Sequence, residues 1–290
     1  MQTSSRRNVL ITGSNKGIGY SIVETLLAGE KSYDIIATAR NIKLGEEAVS
    51  TLTKKYPKST STLTFHQLDI NDDKSVDDLV QWVNTKYGKL DVLVNNAGIA
   101  IVNPTEEDKL YTIKTNFLSV VKLTEKILPL ISDDGKIINV SSTLGILDIQ
   151  APTLRKYLED DNLSEKQFFE IANDIFGYIK DYPGLIYNES SYSTSKALLS
   201  TYTRRFLPNK LKKNQQCYTV CPGLCGTDLN GLKPTKETGK PSPVPVKTAE
   251  EGADTPVYLI NLPFEKNEEL NAKFFSERQI TSYYIFPKRH

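Results

Sequence analysis

The sequence predicts a single α/β domain built on a doubly wound, mostly parallel sheet. Three observations lead there. An apolar strand runs into a glycine-rich turn near the N-terminus; short buried strands then alternate with amphipathic helices along most of the 290 residues; and Asp91-Val92-Leu93-Val94-Asn95 is continuously apolar, as expected where both faces of a parallel sheet are covered.

The opening stretch, Val9-Leu10-Ile11-Thr12-Gly13-Ser14-Asn15-Lys16-Gly17-Ile18-Gly19, reads as a buried strand, a turn and the first turn of a helix. Glycines spaced G-x-x-x-G-x-G let the backbone turn sharply and approach a ligand where a Cβ would collide. A helix N-terminus behind them presents free N–H groups to a phosphate. The spacing differs from the G-x-G-x-x-G dinucleotide fingerprint, so a tight turn with no ligand is the competing reading.

Ile18, Ile22 and Leu26 recur at helical spacing, and residues 34–39 form a second short strand. A polar helix carrying Leu44, Ala48 and Leu52 ends near Tyr56-Pro57, and residues 63–68 make a third strand leading to Asp69. Val76, Leu79, Val80, Val83 and Tyr87 mark the inner face of the next helix, with Asp72 and Asp73 suited to its N-terminal end. After the fourth strand comes a long helix over 106–130, with Leu110, Ile113, Phe117, Val120, Thr124 and Ile127 inward. Asn116 falls on that same face, where an amide needs partners; spacing alone favours a satisfied core polar group over a site residue.

Residues 136–142 read as the fifth strand, with the hydroxyls of Ser141 and Ser142 at the edge where open α/β sheets bind ligands. Residues 143–191 interrupt the alternation with a charged, helical insert. Within it Ser164 and Gln167 make a capping box, followed by an apolar stripe of Phe168, Ile171, Ile175 and Ile179. A helix over 192–211, a strand over 217–221 ending at Pro222-Gly223, a proline-rich lid loop over 228–248, a helix over 249–259 and a short strand near 274–275 complete the domain.

Thirty-six basic and 35 acidic side chains leave a net charge of +1, which supplies no electrostatic reason for a nucleic-acid or membrane partner. A short polar leader precedes the first strand, and the apolar runs fall short of membrane-spanning length. Cys217, Cys221 and Cys225, an odd number crowded into one segment, argue for a reducing compartment and hence a cytoplasmic protein. Pro222-Gly223 breaks any helix that would align them, and His66 and His290 lie far off, so no metal site is expected.

Tyr192-x-x-x-Lys196 places a phenol and an ammonium one helical turn apart. A phenol titrates near 10, and a cation about 4 Å away supplies energy of the order needed to bring it toward neutrality. In isolation such a pair is usually just an exposed tyrosine beside a solvated lysine. Ordered co-occurrence changes that. Thr12-Gly13-x-x-x-Gly17-x-Gly19, Asp69, Asn95-Asn96-Ala97-Gly98, Asn116, Ser142, Tyr192-x-x-x-Lys196 and Pro222-Gly223 together resemble the short-chain dehydrogenase/reductase superfamily over nearly the whole chain. With Lys16, Ala39-Arg40, Lys114-Thr115-Asn116-Phe117 and the insert, the chain looks most like the monomeric NADPH-dependent carbonyl reductase branch.

The resemblance implies a Rossmann fold and the reduction of a small-molecule ketone, aldehyde or quinone. Tyr192 would donate a proton to the carbonyl oxygen, Ser142 would polarise that oxygen, Lys196 would bind the nicotinamide ribose and lower the phenol pKa, and Asn116 would position a relaying water, which reverses the bland reading of that residue. Gly13, Asn15, Lys16, Gly17, Ile18 and Gly19 would cradle the pyrophosphate. Asp69 and Ile70 would meet the adenine, Asn95, Ala97 and Gly98 the adenosine side, and Pro222, Gly223 and Thr227 the nicotinamide. An acidic side chain at the end of the second strand marks an NAD site. Here Asp34 precedes that strand and Arg40 follows it, so NADPH is expected, with Lys16 and Arg40 on the 2′-phosphate. Cys225-Gly226 departs from the family pattern, which leaves the pocket shape and lid placement open. The insert would cover the face that other members use to form tetramers, giving a monomer. A dehydrogenase working in the oxidative direction and a dinucleotide sensor without turnover are the alternatives.

Overall fold

A computed structural model describes residues 6–175, 190–238 and 244–284. Its centre is an eight-stranded sheet of β1 (Arg7–Ile11), β2 (Tyr33–Ala39), β3 (Thr62–Gln67), β4 (Leu90–Asn95), β5 (Ile131–Val140), β6 (Gln216–Cys221), β7 (Phe274–Ser276) and β8 (Gln279–Thr281), in the order β3-β2-β1-β4-β5-β6-β7-β8. All pairings are parallel except β7 with β8. The strand order reverses between β1 and β4, and beyond the C-terminal ends of those strands lies the crevice where such sheets bind ligands.

Successive strand residues point to opposite faces, and two cores follow. Leu10, Ile36, Leu93, Ile137 and Cys217 belong to one buried cluster; Val9, Ile11, Ile35, Val92, Val94, Ile138 and Val220 belong to the other. Helices α1 (Gly17–Ala28), α2 (Ile42–Lys55) and α3 (Asp73–Tyr87) link the first four strands.

The expected long helix over 106–130 is not uniform. It comprises α4 (Glu106–Ile113), a wide turn over Lys114–Leu118, α5 (Ser119–Ile127) and a tight turn over Leu128–Leu130. At the wide turn the Ser119 N–H reaches back five residues to the Lys114 carbonyl, the signature of a π-bulge, which recurs at functional sites. Asn116 sits inside it. The tight turn holds Pro129, which cannot donate to an α-helical ladder. β5 begins at Ile131 rather than Lys136, and β8 is an additional strand, a three-residue antiparallel edge with too little periodicity to read from sequence.

Between β5 and α8 (Ser191–Arg205) the described residues hold α6 (Pro152–Glu159) and α7 (Glu165–Asn173). The Ser164 hydroxyl accepts from Gln167 N–H, completing the capping box. Phe168 and Phe169 pack on Phe117 of the wide turn, with centroids 5.5 and 6.1 Å apart, and Phe168 meets Phe206 at 4.8 Å. Ile175 is buried with them; Ile179 lies outside the described residues. Helix α9 (Ala249–Asn261) opens on its own capping box, Thr248 with Glu251. Of the lid loop, Pro241 and Pro243 also lie outside the described residues.

Candidate active site

The glycine turn is braced by backbone and short side chains. Gly13 and Gly17 have φ of +63° and +58°, a region that disfavours any Cβ. A Cβ on Gly19 would lie 2.5 Å from the Gly13 carbonyl oxygen, and one on Gly13 would lie 3.0 Å from Ala97 Cα. Asn96 and Ala97 both donate backbone N–H to Thr12 Oγ1 (3.0 and 2.9 Å), and Asn96 Nδ2 donates to the Thr12 and Gly13 carbonyls. From the other side Thr38 N–H donates to Ser14 Oγ at 2.9 Å.

Behind this brace, α1 opens at Lys16 with no side-chain cap and no acidic residue in its first turn, whereas side chains of Asn41, Asp72, Thr105 and Thr248 cap α2, α3, α4 and α9. Uncapped N–H groups beside glycines that exclude side chains fit a pyrophosphate.

Several predicted residues do more, or other, than expected. Asn95 turns its amide into the protein, donating to Thr124 Oγ1 (2.9 Å) and Asn139 Oδ1 (2.7 Å), with its own Oδ1 buried and unpaired. Its side chain braces the sheet, and the residue that reaches the turn is Asn96, whose sequence signal is its place in Asn95-Asn96-Ala97-Gly98. The Asp69 carboxylate accepts from Asn71 N–H at 2.9 Å, and Ile70 is buried. Arg40 is exposed just past β2, while Asp34 at the far end of that strand accepts from Thr62 Oγ1 at 2.6 Å. Lys16 forms an ion pair with Asp228 at 2.8 Å, linking the glycine turn to the start of the expected lid loop, a contact that sequence spacing does not mark.

The four expected catalytic residues gather at the C-terminal ends of β4 and β5. Asn116 is fully buried: its Oδ1 accepts from Ile99 N–H (2.8 Å) and its Nδ2 donates to the Ile99 carbonyl (2.8 Å) and to Ser195 Oγ (3.1 Å). The amide is committed to fixing the chain after Gly98, where a Cβ would sit 3.1 Å from Asn116 Oδ1 and 3.7 Å from Lys196 Nζ.

Lys196 Nζ donates to the Val140 carbonyl at 2.9 Å and lies 5.6 Å from the centre of the Tyr192 ring. Burial brings its pKa down to about 8. The Tyr192 phenol is hydrogen-bonded to Ser142, which pulls its pKa down, yet burial wins and pushes it up to about 12. The expected lowering by Lys196 is therefore absent here. At that separation, with its proton engaged by Val140, the ammonium does not offset desolvation.

Ser142 lies just past β5; its hydroxyl oxygen accepts from Leu144 N–H at 3.1 Å, and the same hydroxyl is the one hydrogen-bonded to Tyr192. Thr143 N–H donates to the Cys221 sulfur at 3.3 Å, drawing the loops after β5 and β6 together. The Cys225-Gly226 departure has a packing cause. A Cβ on Gly252 would lie 2.4 Å from Cys225 Sγ, and a Cβ on Gly226 would lie 2.7 Å from Pro234 Cδ, so a small pair lets the lid base fold back on α9. A Cβ on Gly17 would come nearest to Thr227, 3.7 Å from its Cγ2 and 3.9 Å from its Cβ, so Thr227 faces the glycine turn. Burial pushes the Cys217 thiol up to about 12 and the Cys225 thiol up to about 11, so both are protonated at neutral pH. A separate cavity of about 520 Å³ between α4 and α7 shares no residue with this site.

Comparison with known proteins decides the family. Residues 7–154 match the model for short chain dehydrogenases, just over half of the chain. The chain belongs to the short-chain dehydrogenase family. It is 32% identical to (+)-neomenthol dehydrogenase of Arabidopsis thaliana, covering 98% of this chain and all of the relative, and 34% identical to human carbonyl reductase [NADPH] 1, covering 94% and 97%. Among solved structures, salutaridine reductase of Papaver somniferum superposes with a TM-score of 0.76 at 30% identity over 93% of this chain and 99% of that one. NADPH-bound carbonyl reductase from chicken fatty liver gives 0.65 at 25% identity over 93% and 95%. The eight-stranded, mostly parallel sheet of this short-chain dehydrogenase is a Rossmann-type fold. Among the described residues no helix is long and apolar enough to cross a membrane, and no group of three or more His, Cys, Asp or Glu side chains is placed to hold a metal ion.

Proposed function

We propose that this short-chain dehydrogenase is an NADPH-dependent reductase of small-molecule ketones, aldehydes or quinones. The observation that carries the reading is the convergence of Ser142, Tyr192 and Lys196 beside an uncapped, glycine-built helix N-terminus. The cofactor is NADP(H), which supplies the hydride when bound. The α1 N-terminus with Gly13, Gly17 and Gly19 holds its pyrophosphate, and Arg40 and Lys16 take its 2′-phosphate, with no carboxylate at the end of β2 to repel it. Relatives named for NADPH and for carbonyl reduction support the same assignment.

In this reading Tyr192 is the proton donor. A phenol pushed up to about 12 is fully protonated at neutral pH, the form that can give a proton to a carbonyl oxygen. Ser142, with Leu144 N–H on its oxygen, directs its own proton at that carbonyl and stabilises the charge that develops there. Lys196 holds the cofactor ribose and, as a cation, stabilises the tyrosinate left behind. Asn116 holds the wall opposite, through Ile99, and the π-bulge that contains it would position a relaying water. Reduction is the working direction, in a monomer whose α6 and α7 cover the α8 face.

The test is NADPH consumption by the full chain against a carbonyl panel, with Tyr192→Phe as control. Turnover abolished in that variant while NADPH still binds supports the reading. Tight NADPH binding without turnover of any carbonyl by the parent chain would point to a sensor instead.

A further inference from the structure

The loop after Ser142 is held by side chains to which the reaction scheme gives no role. Gln150 is 4% exposed, and its Nε2 donates to the carbonyls of Leu144 and Ile146, each at 3.0 Å, with Ser193 Oγ 3.1 Å away. Ser193, next to Tyr192, donates its hydroxyl to the same Leu144 carbonyl. The peptides they hold flank Gly145, where a Cβ would lie 2.6 Å from the Lys196 carbonyl carbon, so the loop lies directly on the backbone of α8 at Lys196. Beyond it, Leu147 N–H donates to the Tyr283 carbonyl at 3.0 Å. The Leu144 residue fixed in this way is the one whose N–H points at Ser142 Oγ.

We propose that Gln150 is a positioning residue for carbonyl reduction: it locks the Leu144–Ile146 backbone against α8 and so keeps the Leu144 N–H on the Ser142 hydroxyl. This rests on the reading of Ser142 and Tyr192 given above. Without the amide, the Leu144 carbonyl keeps Ser193 Oγ and the Ile146 carbonyl keeps Ile149 N–H, but the one side chain that ties the two carbonyls together is gone and the loop relaxes. Small displacements of a group that stabilises a transition state cost large factors in rate. The effect therefore appears in turnover and passes through Ser142, while cofactor binding at the glycine turn is spared.

The experiment is a double-mutant cycle in the full chain, with Gln150→Leu, Ser142→Ala and the pair, measuring kcat and KM for a carbonyl found in the panel, the NADPH dissociation constant by fluorescence, and melting temperature. Gln150→Leu is expected to lower kcat about tenfold with NADPH affinity unchanged, and to cost less than about twofold once Ser142 is Ala, because coupled groups are non-additive. The full loss persisting in the Ser142→Ala background, or unchanged kcat in a folded Gln150→Leu protein, overturns the proposal. If Gln150→Leu does not fold, Ser193→Ala takes its place in the same cycle with the same two outcomes. Normal turnover in both Ser142→Ala and Tyr192→Phe would sink the underlying reading itself; loss in those two with an uncoupled Gln150 would sink only this inference.

Discussion

The two walls of the cleft are built by different means. On the side where we propose the cofactor binds, the surface is backbone: glycines with positive φ, an uncapped helix N-terminus, and Thr12, Ser14 and Asn96 bracing it from behind. On the side where we propose the substrate binds, the surface is side chains: Ser142 and Leu144 after β5 and Tyr192 opening α8, with Leu224, Leu229 and Leu232 of the segment after β6 each more than a third exposed. A backbone wall suits a ligand shared by many enzymes, since any added Cβ damages it. A side-chain wall can be rewritten residue by residue, which is how one fold serves many substrates.

The largest expected break in that contrast is Tyr192→Phe. It should cut turnover by about 10²–10⁴-fold, the range for a lost general acid, and leave NADPH binding within a factor of about two; equal loss of both would mean the walls are not separable. Next is Phe168→Ala, under the substrate side. Removing a fully buried ring that meets Phe117 and Phe206 should destabilise the fold by about 3–5 kcal/mol. Light scattering on the same sample should show association if α7 covers a sticky face, and a clean monomer would count against that function of the insert.

On the cofactor wall, Arg40→Asp should weaken NADPH about 10- to 100-fold, as loss of a charge-assisted hydrogen bond implies, and leave NADH affinity intact or better. Unchanged NADPH affinity in a titration would remove Arg40 from the site.

A smaller effect probes the sheet that joins the walls. Lys136 is buried on β5, with Nζ donating to the carbonyls of Leu259, Ile260 and Leu262 at the end of α9, and burial lowers its pKa to about 7. The unfolded chain then binds more protons than the folded one between about pH 7 and the ordinary lysine range, so this group makes stability rise with pH across that window. Lys136→Met should flatten the rise in a series of thermal melts; an unaltered slope would assign the pH dependence elsewhere. Smallest of all is Asp228→Asn. Freeing Lys16 from an exposed ion pair should tighten NADPH about twofold without touching NADH, and competition binding can resolve the two.

How much was legible in advance follows the same division. The glycine turn, Arg40 without an acidic partner, and Tyr192-x-x-x-Lys196 are local patterns, so their places could be read from spacing. The strand series was legible for the same reason, since Asp91 to Asn95 can bury both faces only in a covered parallel sheet. The bulge at Asn116 was not: its wide turn arises where α4 meets α8, and nothing in the helical periodicity marks it. The direction of the Asn95 amide depends on Thr124 and Asn139, 29 and 44 residues away. The phenol pKa is not legible either, because the sequence shows a neighbouring charge but not the depth of burial that outweighs it. Gln150 carries no pattern at all, and only folding brings its amide to two loop carbonyls and a serine 43 residues on.

The bond from Leu147 N–H to the Tyr283 carbonyl ties the C-terminal stretch of the chain to the loop that carries Ser142 and Leu144. A substitution that shifts the Tyr283 backbone would therefore be felt at the loop that follows Ser142, from beyond the antiparallel edge of the sheet.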